Sequence, residues 1–426
     1  MDNEYNDFIT IPMAAPEDCM IKVMGVGGGG CNAVNHLYDE GFEGISYLVC
    51  NTDRQQLVHS TVPAHLQLGP GWGAGGKPEV ARKYAEDNRD AIHDALNDGT
   101  QMLFITAGQG GGTGTGASPI VAEVAREMNI LTVGIVTIPF AFEGNPKIRK
   151  AMAGVAQLAD RVDAILVINN EKLRAIYPDL DTPTGFKKAD EVLANAAHAI
   201  AEIITVQGII NTDFADVYNT LKDGHVALMN VGRASGEERI SAAISNALNS
   251  PLANSNDVRG AKRILIQLYC SSEHAIRMEE YDQIHRFVAE VGPEVEVQWG
   301  ISLDESLGED VRITIIATGY EVSDIPTMRD EVGAVSIDEA IEQQYANTAA
   351  PVAEEKPKNE DEEPVQIEFP IHGEETAAPA PAAPQSQPTS VQGADGQGII
   401  VFDDDSPEDI AAKAQEPSKP RHRWFR

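Results

Sequence analysis

Between Ile21 and about Asn170, short apolar runs alternate with stretches whose apolar positions recur every three or four residues. The runs 21–26, 46–51, 102–107, 131–138 and 163–168 predict strands, and 32–40, 79–97 and 118–128 predict helices. In the last helix Ile120, Val121, Val124, Ala125 and Met128 share one face, with Pro119 expected in the first turn. Strand and helix taking turns implies an α/β fold with a doubly wound, mostly parallel sheet covered on both faces.

The stretch 189–205 reads differently. Val192, Leu193, Ala196, Ile200, Ile203 and Ile204 are apolar, and alanine fills much of the remainder. A helix apolar on nearly every side is expected to be buried, as a long central spine between two domains. Residues 223–320 then hold a helical pattern near 236–249 and three β-rich runs, 263–270, 294–300 and 311–318, which predict a second, smaller α/β domain. The divisions that follow are a flexible arm at 1–20, a first domain at 21–188, the central helix at 189–206, a second domain at 207–320 and a tail at 321–426.

Composition sharpens this picture. The chain has 426 residues, 42% of them hydrophobic, enough for two domains and a tail. Residues 347–400 are rich in Pro, Ala, Glu and Gln and bury too little apolar area to fold, so a disordered acidic tail is expected. The formal net charge is −34, of which residues 321–426 hold 15. That balance argues against nucleic acid or an anionic membrane as a direct partner. Cys19, Cys31, Cys50 and Cys270 have no metal-site or disulfide spacing. The acidic first residues lack a signal-peptide pattern, and the longest apolar run, around 130–142, is too short to span a bilayer. A reducing, cytoplasmic setting is the expectation, with no membrane insertion.

The chemistry lies in glycine. Residues 107–118 read Ala-Gly-Gln-Gly-Gly-Gly-Thr-Gly-Thr-Gly-Ala-Ser, set between a predicted strand and a predicted helix. Such a turn aims bare backbone N–H groups and a helix N-terminus at a phosphate. The first strand also ends in glycines, Gly25-Val-Gly-Gly-Gly-Gly-Cys-Asn32, a G-x-G-x-x-G pattern with Asp53 about where a ribose-binding acid belongs. Alone, that pattern suits a nicotinamide or flavin oxidoreductase. Two such turns in one sheet suit a triphosphate gripped from both sides. A third loop, Gly71-Trp-Gly-Ala-Gly-Gly-Lys77-Pro78, imitates a Walker loop, but Pro78 stands where the metal-binding hydroxyl belongs. It remains a candidate lid over the outermost phosphate. Finally, Asp213 and Asp216 are spaced to share a face of a starting helix, which suits either cation binding and polarisation of water or simple helix capping.

Taken together, Gly25 to Val34, Asn51-Thr-Asp53, Gly73-Ala-Gly75, Gly110 to Gly116, Phe142-Glu-Gly144 and Asn211-Thr-Asp-Phe-Ala-Asp216 resemble bacterial FtsZ, the tubulin-related GTPase family of cell division. The resemblance runs in order from about residue 20 to 320. It implies GTP or GDP held by Gly28, Gly29, Gly30, Cys31 and Asn32 and by Gly110, Gly111, Gly112, Thr113, Gly114, Thr115 and Gly116. Gly73, Ala74 and Gly75 would lie beside the γ-phosphate. Glu143 would meet the ribose, with Lys147 where the family has an arginine. Phe186 would stack on guanine, and Asn51 and Asp190 would bond its edge. Asn211, Asp213 and Asp216 would act on the nucleotide of a neighbouring copy, with Mg²⁺ entering through the phosphates and K⁺ as a further candidate.

The resemblance also implies a head-to-tail homopolymer that forms a division ring at midcell, with membrane-tethering adaptors on the tail. Cys31 replaces a common glycine, and Asn145-Pro-Lys147 replaces a basic stretch. Only Asp409-Ile410 and Arg423-Trp-Phe-Arg426 are similar to the family's adaptor peptide. The competing readings are the dinucleotide oxidoreductase and a relative that polymerises with another cargo.

Overall fold

A computed structural model describes residues 19–206, 208–249, 260–292, 294–321, 389–392 and 398–401. The expected arm at 1–20, nearly all of it, and most of the acidic tail lie outside these residues. The first half carries six strands: β1 (Ile21–Val26), β2 (Ile45–Asn51), β3 (His65–Gln67), β4 (Met102–Gly108), β5 (Leu131–Ile138) and β6 (Ala164–Asn169). All pair in parallel in the order β3-β2-β1-β4-β5-β6. Their connections carry α1 (Gly27–Glu40), α2 (Arg54–Val58), α3 (Pro78–Asp87), α4 (Arg89–Leu96), α5 (Thr113–Glu127), α6 (Asn145–Ala159) and α7 (Asn170–Ile176). Strand order reverses between β1 and β4. In a sheet of this kind a ligand binds at that switch, beyond the carboxyl ends of the strands.

Three helices begin or break where periodicity did not put them. The expected helix at 32–40 starts at Gly27, and that at 118–128 starts at Thr113, so the glycine runs themselves form the first turns. Pro119 therefore sits inside α5 and not in its first turn. Its missing N–H deprives one carbonyl of a partner, while Ser118 Oγ donates to Gly114 O at 2.5 Å beside it. The single helix expected at 79–97 is two, because the backbone at Asn88 leaves helical geometry (φ −117°, ψ 25°).

The central helix α8 (Thr182–Thr205) starts seven residues before its expected boundary. Asp181 caps it by accepting from Thr184 N at 2.9 Å, and Pro183 stands in its first turn, both favourable there. From Ala189 onward it is largely buried, packing Leu193, Ala194, Ala197, Ile200 and Ala201 among Ile21, Val23, Leu131 and Val133 of the sheet.

The second half comprises β7 (Gly208–Ile210), α9 (Phe214–Leu221), β8 (His225–Ala234), α10 (Arg239–Leu248), β9 (Arg263–Cys270), α11 (Tyr281–Val291), β10 (Glu296–Leu303) and β11 (Val311–Tyr320). The sequence announced three of these strands. β8 was hidden because its apolar start, Val226 to Met229, gives way to Asn230, Gly232 and Arg233. β8 pairs in parallel with β6 over three residues, then β11 and β9 follow antiparallel. The sheet therefore continues through both halves to eleven strands and ends at β7. In the tail a short antiparallel pair, β12 (Thr389–Gln392) and β13 (Gly398–Val401), sets Thr389 opposite Val401.

Candidate functional site

The carboxyl ends of β1 and β4 each lead into a helix that starts in glycine. Neither α1 nor α5 has a side-chain cap at its N-terminus, so the amides of both first turns are left for a ligand. The two turns are packed backbone to backbone on each other and on β4, which only glycine permits: a Cβ on Gly27 would sit 2.7 Å from Gly114 N, one on Gly30 2.1 Å from Thr106 O, and one on Gly114 2.4 Å from Gly108 O. Two positive helix ends meeting at one place form a seat for a chain of phosphates.

Around that seat lies a cleft of about 600 Å³. Of the residues expected to bind nucleotide, Gly28, Gly29, Asn32, Asn51, Gly73, Ala74, Gly75, Gly111, Gly112, Thr113, Gly114, Glu143, Lys147, Phe186 and Asp190 line it. Gly30, Cys31, Gly110, Thr115 and Gly116 do not. Gly30 and Gly116 are spacers behind the wall, and Thr115 Oγ1 accepts from Gly110 N at 2.9 Å to shape the turn. The Cys31 thiol is buried, donates weakly to Gly25 O and Cys50 O, and is pushed up to about 12 by burial, so it is a neutral packing group.

One end of the cleft is suited to phosphate, the other to a base and sugar. At the phosphate end Thr113 Oγ1 lies 2.7 Å from Thr52 Oγ1, and Gly73 N donates to Thr52 O at 2.8 Å, joining the lid loop to the wall. At the other end Glu143 forms an ion pair with Lys147 and accepts from Phe140 N at 2.9 Å. Phe186 stands edge-on to Phe140, ring centroids 5.2 Å apart, with its own ring partly exposed. Asp190, one helical turn further along α8, accepts from Asn32 Nδ2 at 3.3 Å, and desolvation raises its carboxyl to about 7. The Asn51 amide is already engaged, donating to Gln56 Oε1 at 2.8 Å and accepting from Asp53 N at 3.2 Å. Asp53, the ribose acid of the dinucleotide reading, instead caps α2 through Gln55 N at 2.9 Å.

Sequence reasoning missed several lining residues: Thr52, Gln56, Trp72, Gln109, Thr137 and Asn170 among them. Asn170 is buried, and its Oδ1 has no partner among the described residues; both carboxamide atoms of buried Gln109 are likewise unpaired. A buried acceptor without a donor is costly unless a ligand or water completes it. The signal for Asn170 was a polar Asn-Asn pair directly after a strand, facing the same end as the glycine turns.

Asn211, Asp213 and Asp216 lie elsewhere, past the far end of α8. Asn211 Oδ1 accepts from Gly208 N at 2.6 Å. Asp213 and Asp216 cap α9 reciprocally, Asp216 N to Asp213 Oδ1 at 2.9 Å and Asp213 N to Asp216 Oδ2 at 3.1 Å. Capping, one of the two readings open at the sequence level, is thus present, and each carboxylate keeps a second oxygen. Among the described residues no group of three His, Cys, Asp or Glu could hold a metal ion, and no helix is long and apolar enough to cross a membrane.

A parallel array of strands with paired glycine-started helices at the switch point and a long buried helix packed on its face defines a nucleotide-binding protein of the tubulin type. Residues 20–178 match the Tubulin/FtsZ family GTPase domain, and residues 225–321 match the FtsZ family C-terminal domain. The chain belongs to the FtsZ family, and its first domain is a GTPase domain. A cell division protein FtsZ of Porphyromonas gingivalis is 49% identical over 337 residues, covering 78% of this chain and 73% of the relative. The FtsZ of Aquifex aeolicus is 41% identical over 322 residues, covering 74% and 85%. Among solved structures, an empty FtsZ dimer of M. jannaschii superimposes with a TM-score of 0.65 at 38% identity, covering 71% of this chain and 88% of that one. CetZ1 of Haloferax volcanii, 22% identical with the same TM-score and coverage of 76% and 100%, shares the fold.

Proposed function

We propose that the cleft binds GTP, that the bound nucleotide is hydrolysed only when a second copy supplies Asp213 and Asp216, and that the resulting head-to-tail filament builds the division ring at midcell. The observation that carries this reading is the separation of the two sets of residues along α8. Asp190 lines the cleft, while the acid-bearing turn follows Thr205, fifteen residues on. At 1.5 Å per residue these helix positions alone are about 22 Å apart, beyond the reach of any side chain. Neither Asp213 nor Asp216 lines the cleft of its own copy, which supports a second copy as their source.

In this reading the first-turn amides of α1 and α5 hold the phosphates, with Thr113 adding a hydroxyl donor. Gly73 to Gly75 close over the terminal phosphate. Glu143 meets the ribose, Phe186 stacks on the base, and Asp190 and Asn170 read its edge, which gives Asn170 Oδ1 the donor that it lacks. Mg²⁺, bound through the phosphates, would supply charge neutralisation there; K⁺ is a weaker candidate. Asp213 and Asp216, rigid because they cap one another, present their second oxygens to orient the attacking water. A contact between two different faces need not close on itself and so propagates as a filament. The acidic tail, self-repelling, would tether that filament to membrane adaptors in the cytoplasm.

The test is GTP turnover per subunit as protein concentration rises. A shared site gives a threshold followed by a rise; a constant value at all concentrations would remove the reading.

A further inference from the structure

The loop from Gly69 to Lys77, which carries the lid residues, is held unevenly. Its first half is tied to the turn after β2: Arg54 N donates to Gly71 O at 3.0 Å, Gly73 N donates to Thr52 O at 2.8 Å, and Trp72 forms a bridge with Asp53. Its second half turns through Gly75 and Gly76, at φ 58° and 70°, with open space where a Cβ would be. From outside the loop, Lys150 Nζ donates to Gly76 O at 2.7 Å.

Lys150 stands on α6, three residues after Lys147, which lines the opposite end of the cleft. The first turn of α6 also abuts the glycine run, since a Cβ on Gly110 would meet Lys147 O at 2.8 Å. A single rigid helix therefore touches the sugar end, the phosphate wall and the lid. A glycine-rich segment has the most backbone freedom to lose on closing, so one charge-assisted hydrogen bond to its carbonyl shifts it toward the closed form.

We propose that Lys150 is a positioning residue that holds the Gly73–Gly76 lid closed over the outermost phosphate, so that it favours a nucleoside triphosphate over the diphosphate. This rests on the placement of Gly73 to Gly75 beside the terminal phosphate.

The experiment measures dissociation constants of the full chain for GTP and for GDP, with kcat and KM, in Lys150→Met, Lys150→Arg and the unaltered protein. The unaltered protein is expected to bind GTP more tightly than GDP. Lys150→Met should weaken GTP by about threefold to tenfold. GDP should stay within about twofold, KM should rise with kcat held, and Lys150→Arg should restore GTP affinity. Parallel loss for GTP and GDP, or no loss for either, would overturn the role of Lys150. Equal affinity for the two nucleotides in the unaltered protein would overturn the placement of the lid itself, a separate failure.

Discussion

Thr52 Oγ1 and Thr113 Oγ1 lie 2.7 Å apart, joining the turn after β2 to the first residue of α5. Thr52 is fully buried, and its carbonyl also receives Gly73 N–H. One residue thus connects the lid loop to the phosphate seat. Thr113→Val leaves the Thr52 hydroxyl unpaired in the interior, a cost of about 1–3 kcal/mol. Urea unfolding should show that loss, nucleotide affinity should fall with it, and Thr113→Ser should recover both.

The paired acids at the start of α9 cap that helix and, in the proposed reaction, orient water, two jobs that substitution can separate. Asparagine caps a helix about as well as aspartate, so Asp213→Asn should leave the melting temperature nearly unchanged. GTP binding should also persist, while turnover at saturating protein falls by at least about tenfold. Asp213→Ala should lose turnover and, in addition, about 1 kcal/mol of stability. Normal turnover in the asparagine variant would remove the charge of Asp213 from the chemistry.

Asp190 gives the site a pH dependence. Desolvation raises its carboxyl to about 7, whereas a base edge rich in N–H donors needs the carboxylate. Guanine nucleotide affinity should therefore rise by about tenfold from pH 6 to pH 8 and then level off. Titration calorimetry across that range, repeated on Asp190→Asn, should show the slope in one protein and a flat profile in the other. The sign for folding is opposite. A carboxyl with a raised folded value stabilises the ligand-free fold below its unfolded value, near 4, and that contribution disappears as pH climbs through about 7.

Two glycines on helices should respond in opposite ways to alanine. A Cβ on Gly116 would lie 2.0 Å from Pro78 O, a backbone atom, with no flexible side chain to yield. Gly116→Ala should cost about 3 kcal/mol or more, read as failure to accumulate folded protein. Gly185, in the first turns of α8, has nothing within 4 Å of the same position, and Gly185→Ala should be neutral or raise the melting temperature.

The five central strands of the first half were legible from the sequence because each is a short apolar run buried on both faces, the pattern that a parallel sheet imposes. Helix starts were not, since glycine is scored as a helix breaker, whereas Gly30, Gly114 and Gly116 open these helices where neighbouring backbone leaves no room for a side chain. β7 and β3, three residues each, are too short to show a period. At the site, glycine spacing announced the two turns that meet at the cleft. Gln109 and Asn170 stayed hidden because a polar residue shows its worth only when its neighbours leave it without a partner, and Thr52 because its partner Thr113 is 61 residues away in the chain. The contact between Glu143 and Lys147, an i, i+4 pair, was within reach of helix geometry, but its place opposite the lid was a matter of tertiary packing.

The 24 residues of α8 also act as a ruler. In a file of copies built on the contact proposed above, each acid-bearing turn reaches the next copy's cleft, so successive nucleotides are spaced by roughly the span of that rod. At 1.5 Å per residue the rod measures about 36 Å. Such a fibre should carry an axial periodicity of about 36 Å, and diffraction or electron micrographs of assembled protein would display it as a layer line set by one helix.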